Sequence, residues 1–306
     1  MKRLLSAALL LLISAAAQPG ALVDAVRARL AGNDMTGAER LTRAYQTKTP
    51  ESTEVAAALS WLARAALAAR NLDRADALAG ETAKLSARLV MGRKLDSDPW
   101  LPTAAGAAIE VHAQVLAARG ERPEALEYLQ SQMKHFAGTS LTERIRKNIN
   151  LLNMEGKPAP ALDPSQTWLA GKPTTLAGLR GRPVLLFFWA HWCSDCKAEV
   201  EVLAKLQSTF AKDGLAIVGP TRLYGYAAGG DDAPPAKEKL YIEEIRRKFY
   251  AQLGTMPVPL SAENFVTYGA SSTPTLVLID RAGIVRYYHP GAVDGAELAA
   301  RVRSVL

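Results

Sequence analysis

The chain has 306 residues, 49% of them hydrophobic and 22% charged, an ordinary globular composition that excludes a mainly disordered protein and leaves room for two domains with separate cores. Its 37 Lys+Arg against 30 Asp+Glu give a net charge of +7. The positive residues are spread evenly rather than gathered into a stripe, so nucleic acid is not an expected partner.

Met1-Lys2-Arg3 leads into an apolar run from Leu4 to Ile13 broken only by Ser6, and Ser14-Ala15-Ala16-Ala17 supplies the small residues of a cleavage site. Leu4–Ala17 has 14 residues, short of the roughly 20 that span a bilayer, so 1–17 is predicted to be a cleaved signal peptide rather than an anchor. Export places the mature protein in the periplasm or another extracytoplasmic space.

Residues 18–152 are rich in Ala, Leu and Arg at helical spacing and almost free of β-branched runs, which predicts an all-α domain. Trp61–Asn71 leading to Ala75 and Val111–Gly120 leading to Ala125 are related stretches, and Gly32 to Ala38 is a weaker copy. Each reads as a helix, a tight turn and a second helix opened by a small residue, similar to tetratricopeptide repeats. The three alanines stand 37 and 50 residues apart, against the 34-residue period of that family, so an Ala-rich bundle of no particular family is the competing reading. Pro123 suits a first helical turn, and Ser140 with Glu143 is predicted to form a capping box for a helix running to about Leu152.

A Pro-rich junction at 153–165, including Gly156-Lys157-Pro158-Ala159-Pro160, forbids helix continuation, and beyond it the pattern changes. Val184–Trp189 is a continuous apolar run, as expected of a strand buried on both faces. Val202, Leu203, Leu206 and Phe210 then recur at helical spacing, and Leu215–Val218 reads as a second strand. A helix over about Lys237–Leu253 is predicted to carry Ile242, Ile245 and Phe249 on one face. The strands Thr275–Ile279 and Ile284–Tyr288 form a hairpin, and Asp294 and Glu297 open a last helix. The C-terminal half is therefore an α/β domain with a central mixed sheet, over 156–306.

The only cysteines, Cys193 and Cys196, lie where the buried strand gives way to a helix. A disulfide closing so small a loop does little for stability, and the four histidines lack ligand spacing, so neither a structural staple nor a metal is expected and the pair's value is chemical. The helix N-terminus stabilises a Cys193 thiolate. Cys193, at the exposed edge, is the expected attacker of a substrate disulfide, and Cys196, one turn on, the resolver. Asp195 puts a carboxylate beside that thiolate and is expected to make the pair more reducing than a neutral residue would, while Trp192 and Ser194 complete the surface of the motif.

At these residues the sequence resembles the thioredoxin superfamily and, within it, the TlpA/ResA-like group of exported thiol-disulfide oxidoreductases. The resemblance covers 156–306 and rests on Gly156–Pro160, Leu179–Leu186, Phe188–Lys197 with Glu199, and Ser272-Thr273-Pro274-Thr275. It implies a thioredoxin-like fold and a cis Thr273–Pro274 bond facing the cysteines. It also implies no cofactor beyond the cysteine pair, protein thiols and disulfides as substrates, and a membrane electron donor. The implied direction is reduction; an oxidant or isomerase, a partner-binding protein with vestigial cysteines, and a peroxidase are the alternatives. Two acidic positions of the superfamily are missing, one occupied here by Phe187 and the other by Gly219-Pro220-Thr221. Water, His191 or Glu199 must then take the proton from Cys196, with Glu199 expected to be a solvated helix residue. The helical domain, without cysteine or an acid-base constellation, is expected to dock a protein partner. Residues 223–235 form a long insertion in which Tyr224 and Tyr226 are candidates for a docking lip and Asp231 and Asp232 offer only weak evidence for a cation.

Overall fold

The computed structural model describes residues 20–306, so the predicted signal peptide lies outside the described residues. The helical half consists of α1 (Ala21–Ala31), α2 (Met35–Lys48), α3 (Thr53–Ala68), α4 (Leu72–Val90), α5 (Leu101–Ala118), α6 (Arg122–His135) and α7 (Leu141–Asn153). Its first six helices form three hairpins whose turns close in the same way. Asn33, Arg70 and Gly120 all take positive φ, and each turn sends paired backbone N–H groups back to the preceding helix: Asp34 to Arg29, Asn71 to Ala66 and Glu121 to Leu116. Ala38, Ala75 and Ala125, four residues beyond each turn, are fully buried, because only a small side chain fits where the second helix crosses the first. The longer second interval is accounted for by the connection Met91–Trp100, which holds a short 3₁₀ turn at Leu95–Ser97.

The C-terminal half runs β1 (Thr167–Ala170), β2 (Val184–Phe188), α8 (Ser194–Thr209), β3 (Ala216–Val218), α9 (Pro235–Phe249), β4 (Val258–Leu260), α10 (Ala262–Tyr268), β5 (Thr275–Ile279), β6 (Val285–Pro290) and α11 (Gly295–Arg303). The main sheet has the order β3-β2-β5-β6, with β2 parallel to β3 and antiparallel to β5, so it is mixed as expected. All five residues of β2 and of β5 are buried. Leu185 and Phe187 face a core shared with α8, α9 and α11, while Leu186 and Phe188 face Phe265 and Tyr268 of α10.

Three elements differ from expectation. β1, β4 and α10 carry little sequence signal: β4 is three residues long with a central Pro259, β1 is irregular where it pairs with β4, and α10 has seven residues. The helix predicted to reach Leu253 ends at Phe249, and Phe249 is exposed, with the Lys197 and Lys248 ammonium groups over its ring. The Ser140/Glu143 capping box does not form. The Ser140 N–H and hydroxyl turn to Asp96, and Glu143 instead pairs with Arg222 in the C-terminal half. Asp294 does cap α11, accepting from the N–H groups of Ala296 and Glu297.

Glu143 belongs to a seam along α7. Asn150 donates to the Tyr268 carbonyl at 2.9 Å, and Gly269, at φ +59°, passes so close to α7 that a Cβ there would run into the backbone of Arg146 and Lys147. α7 also contributes Leu141, Ile145 and Ile149 to the helical core, so it is packed on both sides.

Candidate active site

β2 delivers the chain into a rigid corner. Trp189 is fully buried, donates its indole N–H to the Gly219 carbonyl at 3.0 Å and stacks on Tyr250, while its own carbonyl accepts from the Thr221 hydroxyl at 2.9 Å. The same contacts bear on one missing acid. A Cβ at Gly219 would stand 2.6 Å from the Met256 methyl and 3.2 Å from the Trp189 indole nitrogen, so any side chain there requires Met256 to move. Phe187, at the other position, is packed in the apolar core with Tyr250.

Cys193 and Cys196 are joined in a disulfide, and Cys193 is the N-cap residue of α8. The Cys196 N–H donates to the Cys193 sulfur at 3.0 Å, a hydrogen bond that favours negative charge on that sulfur. Cys196 is fully buried. Cys193 is also only 3% exposed, which corrects the expected exposed edge; the exposure belongs to its neighbours Trp192, Ser194 and Asp195. The Thr273–Pro274 bond is cis, and the Thr273 carbonyl oxygen lies 3.4 Å from the Cys193 sulfur. Every residue singled out around the motif therefore lies at one corner of the sheet.

Glu199 is not solvated. It is 4% exposed, one turn beyond Cys196 on the same helix face, and its Oε1 has no hydrogen-bond partner. Burial pushes its carboxyl above the usual range, against the opposing effect of the Val293 N–H. A buried acid was missed because Glu usually stays in water, and only its register with Cys196 pointed inward.

His191 is nearly fully buried with its Nε2 3.3 Å from Oε1 of Glu238, which is itself fully buried. Burial holds the imidazole below its ordinary value. Glu238 also accepts the N–H groups of Tyr224 at 2.6 Å and Gly225 at 2.9 Å, so it staples the insertion to the active-site corner. Tyr224, Tyr226 and Tyr241 meet the His191 ring edge-on, and Tyr224 meets Trp192 in the same way. Asp231 and Asp232 are exposed, with Asp232 paired through its backbone to Tyr226. Sequence reading missed Glu238; its signal was a Glu in the first turn after Pro234-Pro235.

The Redoxin family model matches residues 154–303. A thiol:disulfide interchange protein DsbE of Pseudomonas fluorescens biotype C is 32% identical over 157 residues, covering 50% of this chain and 78% of its own. The chain belongs to the thioredoxin superfamily. Within it, this is a thiol-disulfide oxidoreductase of the TlpA/ResA-like group. The thioredoxin-like protein YneN of Bacillus subtilis is 29% identical, covering 48% of this chain and 78% of its own. The thiol-disulfide oxidoreductase ResA of Geobacillus thermodenitrificans is 25% identical, covering 45% and 71%.

Proposed function

We propose that the protein is an exported protein-disulfide reductase in which Cys193 attacks and Cys196 resolves. The observation that carries the division of roles is the capping geometry, in which the Cys193 sulfur receives the Cys196 N–H while Cys196 lies fully buried behind it. The Cys193 thiolate attacks one sulfur of a substrate disulfide, forming a mixed disulfide and releasing the other substrate sulfur as thiolate. Cys196, deprotonated, then attacks the Cys193 sulfur. This forms the Cys193–Cys196 disulfide, frees the second substrate sulfur and delivers two electrons to the substrate. Glu199 is the group best placed to take the Cys196 proton, being buried, one turn away and with one carboxylate oxygen unbonded, whereas His191 faces Glu238.

Reduction is the direction that fits both the TlpA/ResA-like resemblance and the Asp195 carboxylate in the first turn of α8. It requires a donor that returns two electrons to the pair, for which a membrane protein is the fitting source in an oxidising compartment. Export rests on the sequence of residues 1–17; among the described residues no helix is long and apolar enough to cross a membrane. The three hairpins fit a tetratricopeptide-like docking unit for a protein partner.

The test is insulin reduction together with a redox titration. Cys193→Ser and Cys196→Ser should both abolish turnover, and only Cys196→Ser should accumulate mixed disulfide. Normal turnover in Cys193→Ser, or a potential in the range of strong oxidants near −120 mV, about that of DsbA, would overturn the reading.

A further inference from the structure

A second charged cluster lies where the helical half meets the loop that carries Thr273. Arg64 of α3, Glu110 of α5, and Arg144 and Lys147 of α7 line a cleft of about 460 Å³ whose far wall is Ser271 and Ser272. Glu110 accepts from Arg144 Nε at 2.8 Å and from Lys147 Nζ at 3.2 Å, with side chains only 13–18% exposed. Burial works against the Glu110 carboxylate, but the two cations outweigh it and hold its carboxyl down at about 2. One carboxylate thus stands among three cations and pairs with two of them. Arg64 has no hydrogen-bond or ion-pair partner among the described residues, and its guanidinium lies 4.9 Å over the Trp61 ring. Burial and the neighbouring Arg144 lower Arg64 to about 10, so it stays charged at neutral pH. Ser140, at the edge of the cleft, gives its N–H and hydroxyl to Asp96. The cleft is shaped for these side chains: a Cβ at Gly106 would stand 2.6 Å from Arg144 Nη1.

A half-buried, unpaired cation is costly to keep unless an anion completes it. The position says which anion. Ser272 immediately precedes Thr273, whose carbonyl touches the Cys193 sulfur, so a polypeptide presenting a disulfide to Cys193 runs past the mouth of the cleft. We infer that the cleft is a substrate subsite that binds an acidic side chain two to four residues from the exchanging cysteine, so that the preferred substrates are proteins with a carboxylate beside their disulfide. At about 3.3 Å per extended residue that spacing reaches roughly 7–13 Å from the exchanging cysteine, and Ser272 of the cleft wall is the residue next to Thr273. This inference rests on the reductase reading.

The experiment uses the reduced full chain and three disulfides: an uncharged small aromatic disulfide, a fluorophore-quencher peptide disulfide with Asp and Glu two to four residues from the cysteine, and the same peptide with Asn and Gln. Peptides carrying the acids on either side of the cysteine are compared. The acidic peptide should react about 5- to 20-fold faster than its neutral twin at low salt, and the preference should collapse in 0.5 M NaCl, about where the screening length falls to 4 Å. Arg64→Gln should remove the preference while leaving the neutral peptide and the small disulfide within about twofold, and Arg64→Lys should keep most of it. Lys147→Gln should weaken the preference in the same direction, which keeps the test decisive if Arg64→Gln folds poorly. Equal rates for the two peptides in the wild type, or an Arg64→Gln loss shared equally by both, would overturn the subsite. Failure of the wild type to reduce even the small disulfide would instead overturn the reductase reading.

Discussion

Replacing Glu238 with Ala should release the insertion from the active-site corner, and the size of the loss can be worked from its contacts. The carboxylate accepts two backbone N–H groups at 2.6 and 2.9 Å and faces a buried imidazole. Each hydrogen bond to a charged group contributes about 1.5–3 kcal/mol when both ends are dry. Gly225 is exposed and its N–H can turn to water, so that bond contributes nearer the lower end, whereas the Tyr224 N–H has less access. Removing the buried carboxylate also recovers part of its desolvation cost. The net expectation is a destabilisation of about 2–3 kcal/mol, with Glu238→Gln losing about 1 because it keeps one acceptor. Urea unfolding followed by tryptophan fluorescence measures the loss, and limited proteolysis locates it at the exposed 228–232 segment. Since Tyr224 packs against Trp192, polypeptide disulfides should also react several-fold more slowly while a small disulfide is spared. A loss below about 0.5 kcal/mol with unchanged proteolysis would refute the stapling role assigned to Glu238.

Asp195→Asn should make the pair less reducing by about 15–30 mV, the effect of half to one decade in the exchange equilibrium, and an unchanged or more negative potential would remove Asp195 from the account of direction. Glu199→Gln should have opposite effects on stability and turnover. Burial raises the folded carboxyl, so its deprotonation costs stability as pH rises above 4.5; the variant should be more stable than wild type by about 1 kcal/mol at neutral pH, equal to it near pH 4, and slower to resolve the mixed disulfide. His191 works the other way in pH. Its folded imidazole is depressed, so the unfolded chain takes up the proton first, and stability should fall as pH drops below about 6.5, a slope that His191→Gln should flatten. Gly269→Ala should cost about 2–4 kcal/mol, because the residue is left-handed and its new Cβ meets the α7 backbone; a mild effect in thermal unfolding would show that the seam yields.

What was legible in the sequence was whatever is local. The strand at 184–188, the Cys193–Cys196 turn into α8, and the Ser272–Thr275 segment each carry their signal within a few residues, because continuous burial, N-capping and a proline act on neighbouring backbone. The repeated alanines also announced themselves, since one crossing geometry recurs three times. The charges that meet between helices did not. Glu110 meets Arg144 and Lys147 across 34 and 37 residues, and on a helix each reads as a solvated face until the partner helix is placed. Residues 18–152, expected to hold no acid-base constellation, do hold a half-buried ion-pair cluster, and Glu143, read as a capping residue, is spent on Arg222 instead.

The fate of the acids near the cysteines follows from the same packing. Where the resemblance would put carboxylates, this chain has Phe187 inside the apolar core and the segment Gly219-Pro220-Thr221, whose Gly219 lies against Trp189 and Met256. Two buried carboxylates stand on the flanking helices instead. Glu199 on α8 sits one turn from Cys196 with one oxygen unbonded; Glu238 on α9 accepts the N–H groups of Tyr224 and Gly225 and faces His191. A buried acid with an unbonded oxygen is costly to keep and free to exchange a proton, whereas one whose two oxygens both accept is costly to disturb and holds geometry. The pair therefore divides proton handling from loop placement, and the two functions should separate by mutation: Glu199→Gln slows resolution with the loop intact, and Glu238→Ala loosens the loop with resolution of a small mixed disulfide intact.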